Sequence, residues 1–274
     1  MEVAGHLGVG DYRSAESEMM EQPQRKERIT VDVLGIPIDA IDWADAIATI
    51  RAWAAGRESR YVCITNVHSV VTGTQDPRFG QVLHSADMVT PDGAPVAWML
   101  RRLGVTGQQR VNGPDLMWRY CERAAASGES IFLYGSTDAT LAKLQAVLRQ
   151  YMPGLKIAGA ISPPFRTLSP EEDAADVAAI NASGAGTVWV SLGCPKQEFW
   201  MAEHRGRINA VMIGVGAAFD YHAGTIQRAP LWMQRSGLEW FYRLCTEPRR
   251  LWRRYLGTNS VFIVRALRQL IRGR

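Results

Sequence analysis

Cysteine is scarce in this chain: Cys63, Cys121, Cys194 and Cys245 are spread over 274 residues with no C-x-x-C pair. Four scattered thiols offer neither a disulfide framework nor a thiolate zinc site, and they suit a reducing compartment. Long apolar runs are also missing, the best being residues 211–215 and 261–264, against the roughly 20 residues needed to cross a bilayer. No basic segment followed by an apolar core opens the chain, so no signal peptide is expected. No G-x-G-x-x-G precedes a helix; residues 214–219 come nearest and fail at Phe219, which disfavours a dinucleotide oxidoreductase.

What is present points to a folded core with an unusual tail. Hydrophobic residues make up 47% and charged residues 21%, ordinary for a globular protein, and the length allows one large α/β domain plus an appendage. Charge is unevenly divided. Residues 228–274 hold eleven arginines, no lysine and two acids, Glu239 and Glu247, a surplus of nine positive charges that leaves the preceding residues at −5.

Residues 1–28 are polar and aperiodic and read as a disordered leader. A short strand pair or bent strand follows around Gly35. Asp42 then precedes an apolar pattern at helical spacing (Trp43, Ala46, Ile47, Ile50, Trp53) that stops at Gly56. Residues 61–64 form a buried strand ending in Thr65-Asn66-Val67-His68, and a helix over about 77–86, opened by Asp76 and Pro77, returns the chain to a second strand at 88–90. Strand, helix, strand is the unit of a parallel sheet, and the alternation continues to about residue 220. The fold class expected is α/β, a Rossmann-like doubly wound sheet over 29–227 with a helical, Arg- and aromatic-rich appendage over 228–274, its helices spanning about 231–244 and 247–271.

The stretch 85–95 organises the rest. Its strand stops at Pro91 and a helix begins after Gly93, which puts Asp92 at a strand's carboxyl end, where open α/β sheets hold their ligands. A carboxylate there either accepts a proton from a hydroxyl or does no more than cap the helix. Thr65, Asn66 and His68 close the neighbouring strand onto the same crevice, although a lone histidine is more often a hydrogen-bonded structural imidazole. Gly135-Ser136 and Gly193, with Lys196, Gln197 and Glu198 after it, each place glycine between strand and helix. Such a turn can hold phosphate oxygens on backbone N–H groups, or the glycine can serve only the tight turn. There is no strict Asp-x-Asp, the pair with which metal-dependent sugar transferases hold a divalent ion, so a departing diphosphate would rely on arginines and helix N-termini. No metal and no other cofactor are expected.

For the tail, solvated surface helices fit poorly with so many Trp, Tyr and Phe. The same arginines and aromatics could grip a nucleic acid, or dock on an anionic membrane surface at about 1 kcal/mol per basic residue.

Six ordered motifs, T-N-V-H (65–68), A-D-M-V-T-P-D-G-A-P-V (86–96), R-V-N-G-P-D-L (110–116), F-L-Y-G-S (132–136), L-G-C-P-K-Q-E (192–198) and the long run 214–240, resemble the WecG/TagA/CpsF glycosyltransferases, family 26. The likeness covers about residues 31–256. It implies an inverting, metal-independent transferase that moves a hexose from a UDP-sugar to a saccharide on a prenyl diphosphate lipid, at the cytoplasmic face of the inner membrane, in cell-surface polysaccharide synthesis. It also implies Asp92 as general base, Arg110 and Gln197 on the donor, and a C-terminal appendage that closes over the site. The arginines that would reach the lipid diphosphate are Arg228, Arg235, Arg243, Arg249, Arg250, Arg253 and Arg254. Many members read T-x-N at the first strand end; the order Ile64-Thr65-Asn66 displaces Thr65 by one place and leaves Asn66 the firmer match. The partners implied are the UDP-sugar, the lipid-linked acceptor and the anionic membrane surface, without nucleic acid; a homo-oligomer stays open. The rival is a non-catalytic nucleic-acid-binding protein working through the basic helices. Deletion from about Glu247 is expected to leave a folded core.

Overall fold

The computed structural model describes residues 28–273, so that residues 1–27 of the expected leader and the side chains of Arg250, Arg253, Arg254 and Leu256 lie outside the described residues. Arg28, at the end of that leader, is bound: its guanidinium donates to both carboxylate oxygens of Asp39, at 2.7 and 3.0 Å, and to the Ala86 carbonyl.

An antiparallel hairpin, β1 (Thr30–Val33) and β2 (Ile36–Asp39), turns at Gly35 and leads to α1 (Trp43–Ala55), with Asp42 accepting from the Asp45 N–H as the cap. The sheet strands are β3 (Arg60–Thr65), β4 (Met88–Pro91), β5 (Ser130–Gly135), β6 (Lys156–Ile161), β7 (Thr187–Ser191) and β8 (Val211–Gly214). All pair in parallel, in the order β4-β3-β8-β7-β5-β6. Between them run α2 (Val67–Gln75), α3 (Pro77–Ser85), α4 (Ala94–Arg102), α5 (Gly113–Ser127), α6 (Asp138–Tyr151), α7 (Pro170–Ala182) and α8 (Lys196–His204). After β8 come α9 (Ala218–His222), α10 (Leu231–Arg235), α11 (Glu239–Thr246) and α12 (Pro248–Arg272).

Alternation along the strands builds two cores. Tyr61, Cys63, Val188 and Val190 face a layer made by α2, α3, α4, α7 and α8, whereas Val62, Ile64 and Trp189 face α1, α5, α6 and α9. Helices therefore cover both faces, as the Rossmann-like expectation requires, and the carboxyl ends of the strands open onto one side.

Three local details differ from the sequence reading. The chain enters a helix directly after Thr65, because Asn66 caps α2 by accepting from the His68 and Ser69 N–H groups. The tail forms three helices rather than two. Its last helix is built into the core: Phe262 and Ala266 are buried against the layer containing α2, and Gln269 donates to the Asp32 carbonyl and accepts from the Leu34 N–H in the hairpin. Arg265 also donates to the Thr74 hydroxyl at the end of α2.

Candidate active site

Asp92 follows β4, and its own N–H extends the ladder by donating to the Thr65 carbonyl at 2.9 Å. Asp92 is not the cap residue of α4; that position belongs to Gly93, at φ +83°. The Asp92 carboxyl group accepts from the Gly93 N–H and lines a cavity.

The loop after α4 is stitched to the same strand end. The Val111 N–H donates to the Pro91 carbonyl at 2.8 Å, the Thr90 hydroxyl donates to the Val111 carbonyl at 3.0 Å, and Arg101 holds the Gln108 carbonyl at 2.7 Å. These bonds bring Arg110 beside Asp92. Asn112 then caps α5 through the Asp115 N–H, while Gly113 approaches the β8 end so closely that a Cβ would meet the Val215 carbonyl at 3.0 Å.

The resulting cavity has a volume of about 570 Å³, within the range of small-ligand pockets. Its polar floor includes Asn66, Asp92, Arg110, Gln197 and Glu198; its apolar wall comes from Trp98 on α4, Trp240 on α11, and Phe262, Ile263 and Leu267 on α12. Gln197 is fixed by accepting from the Gly216 N–H at 3.1 Å and donating to Glu198 at 3.0 Å. Asn66 has its amide oxygen committed to capping α2, which leaves its amino group as the donor for a ligand. Among the described residues, no group of three or more His, Cys, Asp or Glu side chains is arranged to hold a metal.

Burial lifts the Asp92 carboxyl to about 6; the Arg110 charge opposes the rise, the Glu239 charge adds to it, and the Gly93 N–H and Arg228 oppose it. A carboxyl held near 6 is mostly ionised at neutral pH yet a stronger base than an ordinary carboxylate, which suits a general base. Glu239, at the start of α11, bridges two arginines: Arg110 donates to one of its oxygens at 2.9 Å and Arg228 approaches the other at 3.4 Å. Arg228 is also paired with Asp115. Burial alone would raise Asp115, but Arg228 and the Asn112 amide outweigh it and hold the group below the ordinary carboxylate range.

The other expected residues fall in several places. Gly193, Gln197, Glu198 and Arg243 line the cavity with Asp92, Asn66 and Arg110. Arg243 lies over the Tyr221 ring, 6.0 Å from its centroid. Thr65 is fully buried and outside the lining, its hydroxyl without a hydrogen-bond partner among the described residues. Gly135 and Ser136 end β5, two strands away from β8, and Lys196 is exposed at the start of α8; none of the three lines the cavity. Glycine at 135 is required by the neighbouring strand, since a Cβ would meet the Ser191 carbonyl at 2.4 Å, so no ligand need be invoked there. Arg228 acts from behind Glu239, while Arg235 and Arg249 are exposed, outside the lining.

Sequence reasoning missed Glu239. The signal was available: it is one of only two acids among eleven arginines in the tail, but was counted as charge rather than weighed as a ligand for Arg110.

The family model described as Glycosyl transferase WecG/TagA/CpsF family matches residues 31–274. A relative from Bacillus spizizenii, N-acetylglucosaminyldiphosphoundecaprenol N-acetyl-beta-D-mannosaminyltransferase, is 33% identical over 229 residues, 80% of this chain and 86% of its own. The family match spans the strand end before Asp92, the loop that carries Arg110 and the helices that wall the cavity: the chain belongs to the WecG/TagA/CpsF family of glycosyltransferases.

Proposed function

We propose that this glycosyltransferase moves a hexose, or a hexose derivative, from a UDP-sugar onto a saccharide carried by a prenyl diphosphate, with inversion and without a metal. The name of the Bacillus relative supplies the acceptor class, an undecaprenyl diphosphate bearing N-acetylglucosamine, and a β-linked N-acetylmannosamine product. The observation that carries the reading is Asp92, a buried carboxyl just outside the cap position of α4, lining a cavity with both polar and apolar residues. Asp92 takes the proton of the acceptor hydroxyl as its oxygen bonds to the anomeric carbon. The bond from that carbon to the diphosphate breaks on the opposite face, and the electron pair leaves with UDP. Arg110 and Arg243 neutralise the departing charge, while Asn66 and Gln197 orient the sugars.

The apolar wall of Trp98, Ile263 and Leu267 suits the start of a prenyl chain. Exposed Trp232, Phe241 and Trp252, among the arginines of α10 to α12, suit the headgroup region of an anionic membrane, at the cytoplasmic face of the inner membrane. No helix among the described residues is long and apolar enough to cross a membrane. The setting that fits is the assembly of bacterial cell-surface polysaccharide.

The test is UDP release from a panel of UDP-sugars with a short-chain prenyl diphosphate carrying N-acetylglucosamine. Release that needs both substrates, with a β-linked product, is the expected result. No release from any donor with the full chain, together with salt-sensitive oligonucleotide binding, would favour the nucleic-acid reading instead.

A further inference from the structure

Glu239 and Arg110 are 129 positions apart in sequence, yet their side chains meet at 2.9 Å on the cavity wall. The second oxygen of the same carboxylate takes Arg228 at 3.4 Å. One carboxylate is thus held by guanidinium groups from two loops, one before α5 and one before α10, and all three side chains are about four-fifths buried. A carboxylate and a phosphate present planar guanidinium groups with similar pairs of acceptor oxygens. Glu239 also opens α11, whose next residue, Trp240, lines the cavity.

We propose that Glu239 is an internal stand-in for the donor diphosphate: it occupies Arg110 while the donor site is empty and yields that arginine when a nucleoside diphosphate enters. The inference rests on the reading of Arg110 as a donor-binding residue and adds a competition that the reading does not contain. Glu239 holds Arg110 through a single nitrogen, Nη1; a diphosphate that takes the guanidinium bidentately claims that nitrogen too, so its binding and the breakage of the Arg110–Glu239 pair are one event. Breaking the pair removes one of the two ties between the start of α11 and the α5 region, leaving the weaker one through Arg228, and so connects donor entry to the helices on the acceptor side. The exchange preserves the surroundings of Asp92. Glu239 helps to keep that carboxyl proton-seeking, and a diphosphate in its place does the same.

The experiment is calorimetric titration of the full-length protein with UDP. Glu239→Gln removes the competing charge at nearly constant shape and should bind UDP roughly three- to tenfold more tightly than the wild type, the size of one largely buried ion pair removed from competition. Arg110→Ala should bind it more weakly. If Glu239→Gln binds UDP no better than the wild type while Arg110→Ala still weakens it, the stand-in is overturned and the donor-site reading survives. If Arg110→Ala leaves UDP affinity unchanged, the donor-site reading itself fails, and the stand-in with it. Should Glu239→Gln lose its folding transition, hydrogen exchange on the wild type decides: saturating UDP should speed exchange at the α11 amides, and unchanged or slower exchange there overturns the proposal.

Discussion

The Arg110 guanidinium and the Asp92 carboxyl face one cavity, and the cation offsets part of the burial that lifts the acid to about 6. A base must be ionised to work, so transfer at subsaturating substrate should rise with pH through about 6 with a slope of one proton, then level off. Replacing Arg110 by Ala removes the charge that lowers the Asp92 value, and the acid limb should move to higher pH. Replacing Glu239 by Gln removes a charge that raises it, and the limb should move lower. A limb that stays in place in both variants would detach the profile from Asp92.

Asp92→Asn should separate activity from stability. Loss of the base should reduce transfer by about 10²–10⁴-fold with the fold intact. The folded value of about 6 exceeds the ordinary 3.8, so the charged form is penalised by folding: the penalty is absent below about pH 4 and complete above about pH 6. Asparagine escapes it. Thermal unfolding at pH 7.5 should therefore show the variant more stable by up to about 3 kcal/mol, the gain fading as pH falls toward 4. A variant that melts lower at pH 7.5 would contradict this account of the carboxyl's surroundings.

Two glycines expected to cradle phosphate should behave differently. Gly135, at φ +113°, leaves no room for a Cβ beside Ser191, whereas Gly193, at φ +80°, has no atom within 4 Å of that position. Gly135→Ala should destabilise the protein by several kcal/mol, strain and overlap adding together, and Gly193→Ala by only about 1 kcal/mol. Donor affinity in a folded Gly193→Ala protein then reports on the cavity, because Gly193 lines it and Gly135 does not.

The layered sheet and Asp92 were legible because their signals are local: β-branched runs ending at Pro91, then Gly93 and an apolar helical pattern. The helix α2 was hidden by composition. Val70, Val71, Thr72, Gly73 and Thr74 are poor helix formers, and the Asn66 cap together with packing against α3 and α12 makes them helical. The Arg110–Glu239 pair, with 128 residues between its members, has no local signature at all. The docking of α12 was likewise unreadable, since its aromatics and arginines fit a free amphipathic helix as well as one with Phe262 and Ala266 in a core.

That docking changes what truncation should do. Phe262 and Ala266 are buried against the layer that holds Val70 and Val71, and Gln269 joins the hairpin. Removing the chain from Glu247 should expose this face, lower the melting temperature and promote aggregation, rather than leave an unperturbed core. Phe262→Ala in the full chain should cost about 3–5 kcal/mol, measured by denaturant unfolding. A truncated protein that melts like the full chain would mean that α12 contributes nothing to the fold.

The outer surface of the same segment supports a separate expectation. Trp232 is 62% exposed, Phe241 47% and Trp252 46%, far more than isolated surface aromatics require, and the tail carries nine surplus positive charges. Rings at headgroup depth and arginines on anionic lipid should act together. The full-length protein should float with vesicles containing anionic lipid at low salt, less at high salt as the charge is screened, and poorly with neutral vesicles. Trp232→Ser combined with Phe241→Ser touches neither buried core and should weaken flotation without lowering the melting temperature. Failure of the wild type to float with anionic vesicles at low salt would leave these rings for a protein partner rather than a membrane.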